Sequence, residues 1–185
     1  MSMNNKKNTN NVEIDESLYS RQLYVLGHEA MKNMSQSKIL ISGMGGLGLE
    51  LAKNVILSGV KSVTVHDLIK ATNNDLSSQF YLTENDLGSN RALVVRDKLA
   101  ELNMYVEVNS STEELSEELI KNYDVVVLTN NSIKQQIQVN NWTRSNNTKF
   151  ISTKTLGLFG QIFCDFGKEF IVNDTDGEQP LTSIV

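Results

Sequence analysis

The chain has 185 residues, a formal net charge of −5 and an ordinary globular composition, which suits one domain of usual size. Its mild acidity and lack of a basic cluster argue against a nucleic-acid partner. No apolar run approaches the ~20 residues that span a bilayer and no secretory pattern opens the sequence, so no membrane partner is expected. Cys164 is the single cysteine; it excludes an internal disulfide and a four-cysteine zinc site, and suits a reducing cytoplasm or nucleus.

Residues 1–14 are rich in asparagine and lysine and are expected to be a disordered tail, with too little apolar surface to offset chain entropy. The domain is placed at 15–185. Asp15 or Ser17 is positioned to cap a helix through Leu18, Gln22, Leu23 and Leu26. Gly27 should break it before a second helix over 29–34. Arg21 lies on the first of these, where an arginine is either a solvated surface group or a functional one.

The most informative stretch follows. Residues 39–42 form a short apolar run of the kind a buried parallel strand shows. Gly43, Gly45 and Gly48 then satisfy G-x-G-x-x-G, with an extra Gly46. Such glycines permit a tight turn, close backbone approach to a ligand and close helix–strand packing. Leu47, Leu51 and Val55 recur one turn apart and predict the apolar face of the next helix. Gly59 should end that helix in a left-handed conformation. A strand is expected over 62–66, and Asp67 sits at its tip, where a mononucleotide fold places an acid for a ribose hydroxyl.

Beyond Asp67, residues 69–85 read as irregular, with Phe80, Tyr81 and Leu82 as an apolar knot. A surface helix is expected over 90–103, carrying Leu93, Leu99 and Leu102. A strand over 105–109 and a charged amphipathic helix over 113–122 follow, the glutamates Glu113, Glu114, Glu117 and Glu118 forming a solvated face. Residues 124–129 are an uninterrupted β-branched strand. Ser132 caps a helix through Ile133, Ile137 and Trp142, and a further strand covers 149–153. Two strand-like runs, 158–166 and 169–173, are separated only by a turn containing Gly167 and predict an antiparallel hairpin. Asn173 to Gly177 is a turn cluster. The fold class is therefore α/β: a Rossmann-like, doubly wound, mostly parallel sheet with a C-terminal antiparallel hairpin. The abrupt ending suggests a fragment of a larger fold. Cys164 is expected to be a buried core cysteine. Neither His28 nor His66 has ligand partners at useful spacing, so no metal site is assigned. Trp142 reads as packing.

Four stretches taken together resemble one family. They are Ser17-Leu-Tyr-Ser-Arg-Gln-Leu-Tyr-Val-Leu-Gly27, Asp75-Leu-Ser-Ser-Gln-Phe-Tyr-Leu82, Leu156-Gly-Leu-Phe-Gly-Gln-Ile-Phe-Cys-Asp-Phe-Gly167 and Gly177-Glu-Gln-Pro180. They look like the N-terminal segment of the ubiquitin-activating enzymes, within the MoeB/ThiF-type adenylation family. That resemblance implies two adenylation-type halves. One binds ATP and magnesium and adenylates the ubiquitin C-terminus, which then passes to a cysteine as a thioester. The other is degenerate and braces it, and this segment belongs to the degenerate half. The implied partners are the active half of the same enzyme and, through the full enzyme, ubiquitin and its conjugating enzymes. The implied location is cytoplasm and nucleus.

The resemblance also assigns residues. The active pattern Asn-x-x-Arg-Gln-Phe corresponds to Asp75 through Phe80, where Gln79 and Phe80 survive but Ser78 replaces the arginine. The family's lysine falls on Arg91, and its magnesium-ligand aspartate on Asn130, a poorer ligand for a hard cation. The expected outcome is a vestigial nucleotide site at Gly43, Gly45, Gly48, Asp67 and Gln79, with weak or absent binding and no cofactor held productively by this chain. Degenerate halves often carry a basic or bulky residue within the glycine turn. Gly45 keeps this turn permissive, which argues against steric exclusion. Arg21, in Ser20-Arg21-Gln22, matches the arginine that reaches in trans to ATP on the active half. Its forked donors and constant charge suit phosphate oxygens. The fingerprint alone would also fit an NAD-dependent oxidoreductase domain. The small subunit of the SUMO-activating enzyme is a closer variant, although the Asp75–Leu82 and Gly177–Pro180 runs favour the ubiquitin member.

Overall fold

The structure, a computed structural model, describes residues 15–171. The expected tail at 1–14, the turn cluster at 173–177 and the Gly177–Pro180 motif lie outside the described residues.

Among the described residues, six strands form one sheet. They are β1 (Lys38–Ser42), β2 (Ser62–His66), β3 (Glu107–Ser111), β4 (Val125–Thr129), β5 (Lys149–Leu156) and β6 (Phe159–Asp165). Their order is β3-β2-β1-β4-β5-β6. β1 to β5 pair in parallel and β6 pairs antiparallel to β5. This is the Rossmann-like doubly wound arrangement, with its topological switch between β1 and β4. The central strands are short, β-branched and buried, as strands covered on both faces should be.

Alternation along the strands divides the core in two. Ile39, Ile41, Val63 and Val65 face α2 (Gly46–Leu57) and α3 (Arg91–Ala100), meeting Leu49, Ala52, Ile56, Val95 and Leu99. Leu40, Val126 and Leu128 point the other way, toward α4 (Glu117–Ile120) and α5 (Ile133–Ser145), and pack with Ile120, Val139 and Phe150. A period of two is what sends neighbouring residues to opposite faces. Each fully buried aliphatic side chain contributes about 1.5–3 kcal/mol.

The helix ends follow from local chemistry. In α1 (Glu16–Met34), Asp15 accepts hydrogen bonds from the amides of Ser17 and Leu18 at 3.0 Å, and Gly27 breaks the helical backbone at φ 78°, ψ 166°. The expected two-helix reading therefore holds. Ser132 and Gln135 form a capping box at the start of α5. Gly59 takes φ +83° just after α2. A Cβ there would stand 2.7 Å from the Tyr19 ring, so this glycine also lets α1 dock.

Several expectations are corrected. The buried stripe of α2 is Gly48, Leu49, Ala52 and Ile56, while Leu47, Leu51 and Val55 flank it half-buried. Close packing of Gly48 on the turn sets that rotation. The α3 helix is a core helix rather than a surface one: Ala92, Val95 and Leu99 are buried and Leu93 is exposed. β3 starts two residues later than expected because Asn103 accepts from the amides of Tyr105 and Val106 and holds them in a turn. Only Glu117–Ile120 is helical in the acidic segment, because Ser116 caps it there. All four glutamates are exposed, as expected. The hairpin exists one strand earlier than predicted. β5 continues to Leu156 and turns at Gly157, φ +63°, into β6, and 169–171 form no strand. Cys164 is exposed, not buried, because β6 ends the sheet and no described element covers it. Trp142 is half-buried against the second core, as expected.

Candidate functional site

The glycine turn links β1 to α2, at the strand ends where an open α/β sheet offers its ligand crevice. Each glycine has a separate reason. Gly43 takes φ +101°, and a Cβ there would stand 2.4 Å from Thr129 Oγ1. Gly43 N donates to His66 O at 2.8 Å, tying the turn to the tip of β2. A Cβ on Gly48 would meet Gly43 O at 1.8 Å. Gly45 is open except for Arg91 Nη1, 3.6 Å from where its Cβ would be. At Gly46 a Cβ would lie 2.7 Å from Ser78 O, so the loop after β2 rests on the turn.

A cleft of about 360 Å³ opens beside the turn, between the ends of β1, β2 and β4; its walls include Gly43, Asp67, Arg91, Asn130, Gln138 and Trp142. Asp67 is buried, and its carboxylate is fully engaged. Oδ2 accepts from Met44 N of the glycine turn at 2.7 Å and from Arg91 Nε at 2.9 Å, and Oδ1 accepts from Ile69 N at 2.9 Å. Arg91 Nη2 lies 2.8 Å from Asp67 Oδ2, and Nη1 reaches Asp75 Oδ1 at 2.7 Å. One guanidinium thus bridges two carboxylates directly over Gly45. Asp75 is fixed on its far side, Oδ2 accepting from Thr72 N at 2.8 Å and Thr72 Oγ1 at 2.7 Å. Burial pushes its carboxyl up, but the Thr72 and Arg91 hydrogen bonds outweigh that and hold it below the usual carboxylate range.

Gln79 is fully buried, with Nε2 donating to Met44 O at 3.4 Å and Oε1 accepting from Tyr81 N at 2.9 Å. Its side chain staples the loop to the glycine turn. Asn130 sits in the left-handed region at φ 59°, which asparagine tolerates. Its Oδ1 accepts from Thr155 N at 3.1 Å and so supports β5. His66 is buried, with Nδ1 2.8 Å from Ser42 Oγ and Nε2 2.6 Å from Glu113 O, so it is a structural bridge. Among the described residues, no cluster of three or more His, Cys, Asp or Glu could hold a metal ion, and no helix is long and apolar enough to cross a membrane.

Gly43, Gly45, Gly48, Asp67 and Gln79 therefore come together. Arg21 does not join them. It is exposed on α1 and lines a separate groove with Leu57, Asn103 and Tyr105. Leu57 ends α2, and Asn103 and Tyr105 lie between α3 and β3, so the groove lies at the opposite end of the parallel sheet from the turn. Tyr19 anchors α1 there, its hydroxyl accepting from Asn103 Nδ2 at 2.7 Å. Among the described residues no carboxylate pairs with Arg21. Sequence reasoning noted Asp75 and Arg91 singly but missed their bridge and the Thr72 anchor. Thr72 three residues before Asp75 is a local turn signal that could have flagged the anchor.

Fold and turn together define a mononucleotide-type α/β domain whose cradle is bonded to itself. Residues 19–172 match the ThiF family model, and the chain belongs to the ThiF family. It is 54% identical over 179 residues to human ubiquitin-like modifier-activating enzyme 1, covering 97% of this chain and 17% of that protein. It is 57% identical over 172 residues to ubiquitin-activating enzyme E1 1 of Schizosaccharomyces pombe, covering 93% of this chain and 17% of that one. The chain thus spans about a sixth of the length of the curated relatives it matches. The crystal structure of E. coli MccB with succinimide shares the fold at a TM-score of 0.67 and 20% identity, covering 80% of this chain and 48% of that one.

Proposed function

We propose that this chain is part of the degenerate adenylation half of a ubiquitin-activating enzyme, and that it braces the active half and lends Arg21 to its ATP site. The observation that carries the reading is the Asp67–Arg91–Asp75 bridge. Adenylation brings two anions together and relies on cationic and metal clamps. Here the cation nearest the turn is already neutralised by two carboxylates. The acid that would take a ribose is saturated by Met44 N, Ile69 N and Arg91. Asn130, in place of a metal-binding aspartate, spends its side-chain oxygen on Thr155 N. The residues present therefore do not fit ATP with magnesium, and no adenylation step runs through this cradle. The same saturation of Asp67 weighs against an NAD-dependent oxidoreductase.

Arg21 supports the second part of the reading. A guanidinium exposed at the far end of the sheet is remote from this chain's own turn but presentable to a neighbour. Full identification extends to the whole enzyme: ubiquitin and conjugating enzymes as partners, ATP and magnesium held by the active half, and a cytoplasmic and nuclear location. Likeness to the human and yeast relatives over nearly the whole chain supports it. The test is ubiquitin-dependent pyrophosphate exchange by the isolated chain. None is expected, and detectable exchange would overturn the degenerate assignment.

A further inference from the structure

The glycine turn keeps glycine at 43, 45, 46 and 48, yet a cation stands over it. Nη1 of Arg91 is 3.6 Å from the Cβ position of Gly45, where a larger residue in the turn itself would otherwise close the space. That cation comes from the first residue of another helix, α3. Asp67 holds the guanidinium through Nε and Nη2, and Asp75 takes Nη1, the nitrogen nearest the turn. All three side chains of the bridge are at most 13% exposed, so solvent screens them little. Thr72 fixes Asp75 from behind through two hydrogen bonds. The N-cap of α2 is Gly45, which makes no side-chain cap bond to the helix amides.

We propose that Asp75 is the lock of this cleft: it occupies the Arg91 Nη1 donors that face the glycine turn, and so decides that the cradle refuses phosphoryl anions. The proposal rests on the reading of the cradle as degenerate and names the residue that makes it so. Neutralising Asp75 leaves Arg91 paired to Asp67 through Nε and Nη2 but releases the donors of Nη1. Those donors face the turn, and a phosphoryl oxygen is their natural acceptor. Asp75→Asn suits the test because its amide oxygen can still accept from Thr72, while its amide nitrogen cannot accept from Arg91.

The probe is inorganic pyrophosphate, with ATP in parallel, titrated at fixed ionic strength into the 185-residue chain. Trp142, the only tryptophan, lines the cleft and reports binding by fluorescence; calorimetry checks it. The wild-type chain should show no saturable binding. Asp75→Asn should bind pyrophosphate saturably, at least about tenfold tighter than the upper limit the wild-type titration sets, the scale of one charge-assisted hydrogen bond. Asp75→Asn with Arg91→Met should lose that gain. A folded Asp75→Asn chain that binds no better than wild type overturns the proposal, as does a gain that survives Arg91→Met. If Asp75→Asn does not fold, Asp75→Ser, which also removes the carboxylate, is judged by the same outcomes. Tight ATP binding by the wild type would sink the degenerate reading as well, whereas silence from both wild type and variants sinks only the lock.

Discussion

At the scale of single residues, the glycine fingerprint was legible because its glycines are required by geometry that any such turn shares. Gly48 shows this best, since a Cβ there would stand 1.8 Å from Gly43 O. Gly48→Ala should cost about 2–4 kcal/mol in denaturant unfolding, because backbone must move to relieve the clash. Gly160→Ala is the contrast. Its Cβ would find nothing nearer than 3.8 Å on the exposed edge strand β6, so its effect should stay within about 0.5 kcal/mol. Asp67 was also legible as the acid at the strand tip, but its partners were not. Arg91 lies 24 residues away and Asp75 another 16 from Arg91, and no local pattern announces that the three converge. Gly45 is open, as a permissive turn requires; the guanidinium beside it comes from α3, which the turn's own sequence does not reveal.

At the scale of elements, type and order were readable while faces and ends were less so. Strands β1 and β4 carry short apolar runs and β2 alternates valine with polar residues, all bounded by turn residues and rich in β-branched side chains. For α3 the leucines misled, since Leu93 points outward and the buried side is completed by the smaller Ala92 and Val95. Leu99→Ala should therefore cost about 2–5 kcal/mol, whereas Leu93→Ala should change stability by no more than about 0.5 kcal/mol; paired urea titrations check both. The hairpin turns at Gly157 rather than at Gly167, although both glycines are turn-competent and take positive φ. Only the length of β5 decides between them. That hairpin is tied to α5 by Arg144, which hydrogen-bonds the Asp165 carboxylate. Arg144 above all, with the Gly167 amide, holds the Asp165 carboxyl down at about 2 from an ordinary 3.8, against the opposing effect of burial. A carboxyl depressed in the folded state stabilises above its unfolded pKa and loses that contribution as pH falls toward its folded one. The acid limb of the thermal stability curve between about pH 4 and 2 should thus be steeper in the wild type than in Asp165→Asn. Equal slopes would remove this pair from the acid response.

For the whole molecule, alternation of strands and helices was enough to predict a doubly wound sheet, and the observed order β3-β2-β1-β4-β5-β6 agrees. Topology then separates two proposed roles that the sequence could only list side by side. The glycine turn lies at one end of the sheet, closed by its own ion bridge, and Arg21 lies at the other end, exposed and without a carboxylate partner among the described residues. One domain so built can be silent at its own cradle and still contribute to a neighbour's. The most direct measurement is ubiquitin-dependent pyrophosphate exchange by the complete enzyme carrying Arg21→Ala. Exchange should slow by about tenfold or more, as loss of a phosphate-directed arginine does, with circular dichroism and melting temperature unchanged. Exchange at the wild-type rate would contradict the account.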